Sequence, residues 1–254
     1  MKKKRLGLAM IITAILLPAS AYLLWRGIVR FNYPSEAAFP IRGIDVSHHQ
    51  GQVNWSAVAA DGIHFTYIKA SEGEFFKDQR FADNWSDAQR VGIIAGAYHF
   101  YSLCGSPGLQ AANFLAAAPP AVGTVLPPAV DLEFGGNCAY RPTPESFRKD
   151  LALFLKSVEA AWGRRATLYV TSEFYAYIEG YFPANPLWVR SIFTQPRWAG
   201  FRSWAIWQYA NRGHVQGVAT FVDLNVYSQS WASFRTLTGT ARGDPICTAL
   251  RPVQ

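Results

Sequence analysis

From residue 41 onward, short apolar, β-branched or aromatic runs alternate with stretches of helical period. The runs are Gly43–Ser47, Phe65–Ala70, Ile93–Phe100, Ala129–Phe134, Thr167–Thr171, Leu187–Arg190, Trp204–Gln208 and Val222–Val226. Several are almost continuously hydrophobic, as expected of strands buried on both faces. Between them, Asp78 is placed to cap a helix running through Phe81, Trp85 and Val91 to Gly92. Ser106-Pro107 reads as an N-cap with proline at the first helical position, leading Leu109–Ala118. Thr143-Pro144-Glu145 repeats that device, and Phe147, Leu151, Phe154, Val158 and Trp162 mark one helix face ending at Gly163. Strand–helix alternation predicts a parallel sheet, and eight strands predict closure into a β/α barrel like the TIM barrel. After Leu187 the helical signals are short or missing, so the α/β barrel is expected to be distorted. Gln229–Leu237 reads as a final helix.

The 254-residue chain is half hydrophobic, enough for one packed domain of this size. No repeat or low-complexity tract interrupts it. Its net charge of +7 invites a nucleic-acid reading, but +5 of that falls in residues 1–40. The basic balance is therefore a membrane flank, and no nucleic-acid partner is expected.

That flank, Lys2-Lys-Lys-Arg5, leads into an apolar stretch from Leu6 to Trp25. Twenty residues at 1.5 Å each cover roughly 30 Å, one bilayer core. The charge asymmetry predicts a cytoplasmic N-terminus. A cleaved signal peptide ending at Ala19-Ser20-Ala21 is the competing reading. The organisation is then a basic lead (1–5), an anchor in the inner membrane or a signal peptide (6–25), a linker (26–40), a barrel (41–237) and a tail (238–254). In both readings the barrel is exported, to the periplasmic or extracytoplasmic side if anchored and secreted if cleaved.

Three cysteines fit an oxidising compartment. Cys104 and Cys138 each follow a predicted strand, so a bridge between them at one end of the sheet is reasonable. Two unpaired loop thiols are the alternative, and Cys247 is left over.

The candidate chemistry is positional. Nearly every predicted strand ends in a polar or ionisable residue: Asp45, Ser47 and His48; Lys69, Ser71 and Glu72; Tyr98 and His99; Asp131 and Glu133; Thr171 and Ser172; Arg190; Gln208 and Tyr209; Asp223 and Asn225. In a parallel barrel such ends converge on one rim, where active sites are built. Asp131 and Glu133, two apart on a strand, point the same way with Cα atoms roughly 6.5–7 Å apart. Glycosidic hydrolysis needs such a pair, one group donating a proton and the other supporting the transition state. Asp45 and Asp223 reach the same mouth from the first and last strands. Crowded carboxylates raise the pKa of at least one member, which keeps an acid protonated near neutral pH. Tyr98, Phe100, Tyr101, Trp207 and Tyr209 beside these acids offer rings on which a sugar face stacks. His48, His49, His99 and Asp45 do not carry metal-site spacing, and no nucleophile elbow, P-loop or dinucleotide fingerprint is present. No metal or cofactor is expected.

These segments resemble the glycoside hydrolase family 25 lysozymes, the Chalaropsis-type muramidases. The resemblance rests on Gly43-Ile-Asp-Val-Ser-His-His-Gln-Gly51, Phe65-Thr-Tyr-Ile-Lys-Ala-Ser-Glu72, Gly96-Ala-Tyr-His-Phe-Tyr101, Pro128-Ala-Val-Asp-Leu-Glu133, Trp207-Gln-Tyr209 and Val222-Asp-Leu-Asn225. It implies a flattened, irregular barrel and cleavage of the β-1,4 bond between N-acetylmuramic acid and N-acetylglucosamine in peptidoglycan. It makes Glu133 the general acid. Asp131 becomes its helper, orienting the substrate N-acetyl group, and Asp45 and Asp223 complete the acidic cluster. Glu72, Tyr98, His99, Tyr101, Trp207, Gln208 and Tyr209 become candidate contacts to glycan strands, in a protein expected to be monomeric. A tethered, non-catalytic wall-binding module and a glycosidase for another N-acetylated polymer such as chitin stay open as alternatives.

Overall fold

A computed structural model describes residues 2–29, 32–121, 123–197 and 203–239, without the side chains of residues 2–9 and 11. The chain opens with helix α1 (Lys2–Trp25), then alternates β1 (Arg42–Val46), α2 (Trp55–Ala60), β2 (Phe65–Glu72), β3 (Phe76–Lys77), α3 (Phe81–Arg90), β4 (Ile94–Phe100) and α4 (Pro107–Ala117). It continues through β5 (Ala129–Leu132), α5 (Pro144–Trp162), β6 (Thr167–Val170), α6 (Ser172–Tyr175), β7 (Leu187–Arg190), β8 (Ile206–Gly213), β9 (Val222–Tyr227) and α7 (Trp231–Thr238).

The order β1-β9-β8-β7-β6-β5-β4-β2, with β1 also pairing β2, closes an eight-stranded barrel. The two-residue β3 hangs from the end of β2. All eight predicted strands are present. The barrel is mixed, however, because β9 runs antiparallel to both β1 and β8. Only residues 214–221 separate β8 from β9, too few for a helical crossover, so the chain turns back as a hairpin.

The lower half of the barrel is filled with rings. Tyr67 stacks on Trp188 with centroids 4.7 Å apart, and Tyr169 meets Trp188 edge-on at 4.7 Å. Glycines make the room: a Cβ on Gly43 would lie 2.3 Å from the Phe65 ring, and one on Gly96 would lie 2.5 Å from Tyr67. This floor closes one end and leaves the other open.

Outside the barrel, α5 buries the predicted face Phe147, Leu151, Phe154, Val158 and Trp162, plus Leu155. Thr143 accepts from the Ser146 amide, and Gly163 ends the helix in the left-handed conformation. Burying each large apolar side chain stabilises by ~1.5–3 kcal/mol. Asp78 does not cap α3. The helix starts at Phe81, and the Asp78 carboxylate turns inward to accept from the amides of His48 and Arg80 and to meet His48 Nδ1 at 2.9 Å.

No described helix covers the outer face of β8. The segment expected to be a linker does so instead. Arg212 donates to the Trp25 carbonyl at 3.0 Å, and His214 Nε2 lies 2.9 Å from the Arg26 carbonyl. Asn32 donates to the carbonyls of Ile192 and Tyr209. Tyr33 meets Tyr209, and Phe39 packs on Trp204 and Trp207.

The anchor expectation covers residues 6–25, and part of that stretch lies outside the described side chains. Among the described residues, no helix is long and apolar enough to cross a membrane. Cys247 and tail residues 240–254 also lie outside the described residues. Cys104 and Cys138 form the expected disulfide, with Cα atoms 6.3 Å apart.

Candidate active site

The open end of the barrel holds a cleft of about 540 Å³, within the ~300–1,000 Å³ usual for small-molecule sites. Asp45, Asp131, Glu133 and Asp223 all line it. Asp131 lies on β5 and Glu133 just past its end, so the pleat turns both toward the cleft. Asp223 stands opposite Asp45 in the β1–β9 register. It reaches the mouth because β9 is antiparallel, which places the first residues of that strand at the rim.

A polar network fixes Asp45. Gln208 Nε2 donates to Asp45 Oδ2 at 2.9 Å, and Asn225 Nδ2 donates to the same oxygen at 2.7 Å. Each amide is held in turn. The Tyr169 hydroxyl donates to Gln208 Oε1 at 3.0 Å, and Trp188 Nε1 donates to Asn225 Oδ1 at 2.7 Å. Because both carbonyl oxygens are claimed, both NH₂ groups must face Asp45.

Burial sets the electrostatics of the cluster. It lifts Asp45 to about 6, against the opposing hydrogen bonds from Asn225 and Gln208. Burial, then the charge of Asp45, raises Asp223 well above the carboxylate range. Asp131 is raised well above that range by burial and then by Glu133 and Asp45. Glu133 is also raised by burial, while Arg190, whose Nη1 lies 4.0 Å from Glu133 Oε2, pulls it down. The Glu133 side chain is 20% exposed, so it can meet a ligand. Asp131 Oδ1 is buried and takes no hydrogen bond among the described residues. On the β2 side, Lys69 pairs with Glu72 at 2.6 Å and lies over the Phe100 ring at 5.0 Å. Among the described residues no cluster of three or more His, Cys, Asp or Glu could hold a metal.

Residues 44–218 match the model of the glycosyl hydrolases family 25. The chain belongs to this family. Lysozyme M1 of Streptomyces globisporus is 35% identical over 210 residues, covering 78% of this chain and 71% of that protein. A family 25 glycosyl hydrolase from Bacillus anthracis superimposes with a TM-score of 0.77 at 32% identity, covering 83% of this chain and 99% of that one. The bacterial lysozyme from Streptomyces coelicolor gives 0.71 at 34% identity, covering 79% and 98%.

The family 25 cleft takes in some of the expected contacts and leaves out others. Glu72, Tyr98 and Gln208 line it. His99, Tyr101, Trp207 and Tyr209 do not, and each is almost wholly buried. The reason is strand alternation: with Tyr98 and Phe100 facing inward, His99 and Tyr101 face the helices. His99 Nδ1 lies 2.8 Å from Ser71 Oγ and its ring stacks on Phe154. Burial lowers its pKa to about 4, so it is a neutral strut between sheet and helix. Likewise Gln208 faces in, while Trp207 and Tyr209 face the segment containing Tyr33 and Phe39. His49 lines the cleft as His48 turns toward Asp78.

Sequence reasoning missed Tyr169 and Trp188 as cleft residues. A signal existed: Trp188 lies two positions before Arg190, and Tyr169 pairs directly with Asp131. Counting inward by twos from the polar rim finds both.

Proposed function

We propose that this chain is a muramidase that cleaves the β-1,4 bond between N-acetylmuramic acid and N-acetylglucosamine in peptidoglycan. The observation that carries the reading is the division of labour among the cleft carboxylates. Glu133 is the least buried of the cleft carboxylates with a raised pKa, and Asp131 lines the cleft beside it. Relatives named lysozyme and N,O-diacetylmuramidase support the substrate class.

In this reading Glu133, protonated, gives its proton to the glycosidic oxygen as the bond from that oxygen to C1 breaks. The cleft-facing side of the Asp131 carboxyl accepts the acetamido N–H of the sugar, so that its carbonyl oxygen is aimed at C1 and forms a cyclic intermediate. Glu133, now a carboxylate, takes a proton from water, which opens that intermediate. Asp45 faces the developing positive charge, held in place by two amide donors. Asp223 keeps its proton beside Asp45. Tyr98 and Phe100 supply ring surface in the cleft.

We further propose that α1 is retained as a membrane anchor with the barrel on the extracytoplasmic side. The helix runs unbroken through Pro18 and the Ala19-Ser20-Ala21 site, so cleavage there would require local unwinding.

Mass spectrometry of the products from purified peptidoglycan tests the activity. Fragments with N-acetylmuramic acid at the reducing end are expected. Reducing N-acetylglucosamine ends, or release from chitin oligomers alone, would overturn the assignment.

A further inference from the structure

We infer that the docked segment between α1 and β1 fixes the cleft at the bilayer surface, so that the substrate is glycan next to the membrane. This inference rests on the reading of α1 as an anchor. It concerns where the proposed site works.

The contacts of that segment are ordered along β8. Trp25 and Arg26 meet Arg212 and His214, Tyr33 meets Tyr209, and Phe39 meets Trp207 and then Trp204. Chain position rises on one side as it falls on the other, so the segment runs antiparallel to β8 down its outer face. It starts at the rim end of β8 and finishes at the floor, where β1 begins.

The rim end is the cleft end. Asn211 lines the cleft, and Gly213 pairs with Val222, the neighbour of Asp223. Phe221 receives a hydrogen bond at its carbonyl from Gln50, another cleft residue, and its ring lies 5.9 Å from the Arg26 guanidinium. Helix α1 therefore leaves the barrel beside the mouth.

The junction has little slack. Gly27 lies so close to the backbone at Arg212 that a Cβ there would sit 2.0 Å from the Arg212 carbonyl oxygen. The Arg212 guanidinium also lies over the Trp25 ring at 4.8 Å. The hairpin beyond it is tied down by the Asn54 amide, which donates to the Gly217 carbonyl at 2.9 Å.

The exposed chemistry at this junction suits a lipid headgroup layer. Tyr22 and Trp25 are more than half exposed at the end of the apolar helix, where interfacial aromatics belong. Arg26, exposed beside them, is placed to meet lipid phosphates, with half-buried Arg212 bracing Trp25 behind it. Ile28 is exposed on the same stretch.

The test uses the full chain in phosphatidylethanolamine–phosphatidylglycerol vesicles carrying a nitroxide headgroup quencher. In a Cys247→Ser background, a fluorophore is placed at Thr220→Cys on the rim or at Arg165→Cys near the floor. Several-fold stronger quenching at position 220 is expected. Inserting a flexible Gly-Ser spacer after Trp25 should abolish that difference while cleavage of soluble muropeptides is unchanged. Equal quenching at both positions, or stronger quenching at 165, in protein that floats with the vesicles overturns this inference and leaves the anchor standing. Failure to float overturns the anchor and this inference together.

Discussion

Asp45 and Asp223 face each other across the antiparallel β1–β9 pair, and burial together with the charge of Asp45 raises Asp223 well above the carboxylate range. Two carboxyl groups buried this close do not both ionise readily. Asp45, with two amide donors on one oxygen, is the member that ionises first.

This arrangement costs stability. The folded-state pKa of Asp45 is about 6, against 3.8 for an unperturbed aspartate, so the folded protein holds that proton more tightly. Stability is therefore greatest below the unfolded value and falls as pH rises through about 6, a loss of about 3 kcal/mol by neutral pH. Asp45→Asn keeps an acceptor for Gln208 and Asn225 and removes the charge. Thermal unfolding should show the variant stabilised near neutral pH, with no such gain below pH 3.8, while activity collapses. A variant destabilised at neutral pH would contradict this.

In the proposed mechanism Glu133 acts only when protonated. Activity should fall as pH rises through its raised pKa, and also fall on the acid side as Asp45 takes up its proton at about pH 6. Arg190 opposes the upward push of burial, so Arg190→Gln should raise that pKa further. The alkaline limb of the kcat/KM profile then moves to higher pH. A shift in the other direction would mean another group sets the limb.

Trp188→Phe keeps the ring surface of the floor but removes the donor to Asn225 Oδ1. With Asn225 free to turn, Asp45 loses one of its two fixed amides. The expected result is a kcat about tenfold lower at little changed KM, equal to roughly 1.4 kcal/mol and within the range of one hydrogen bond. An unchanged kcat would remove Asn225 from the account.

The eight strands of the barrel and its four acids were legible in the sequence, because runs of buried residues and polar strand ends repeat at short range. Strand direction was not. Val222–Val226 reads the same whether parallel or antiparallel, and only the short 214–221 connection hints at a hairpin. Side-chain facing was available but unused. His99 and Tyr101 neighbour Tyr98 in sequence yet face the helices, and Trp207 and Tyr209 do the same around Gln208. Trp188 and Tyr169 face inward by the same rule. The role of residues 26–40 was hidden for a different reason: nothing local to Tyr33 or Phe39 says that β8 lacks a covering helix.

The Cys104–Cys138 bridge closes a 34-residue span next to Glu133. Thiol titration of the non-reduced protein should find one reactive group, Cys247. Replacing both bridged cysteines should cost about 3–4 kcal/mol by the loop-closure argument, read as a lowered unfolding midpoint. Three reactive thiols in oxidatively folded protein would rule the bridge out.

The central claim is that Glu133 is the proton donor. The most direct measurement is reducing-end release from purified peptidoglycan by Glu133→Gln, paired with co-sedimentation on the same sacculi. Release reduced by several orders of magnitude, with sedimentation retained, is the expected result. Full release from that variant would contradict it.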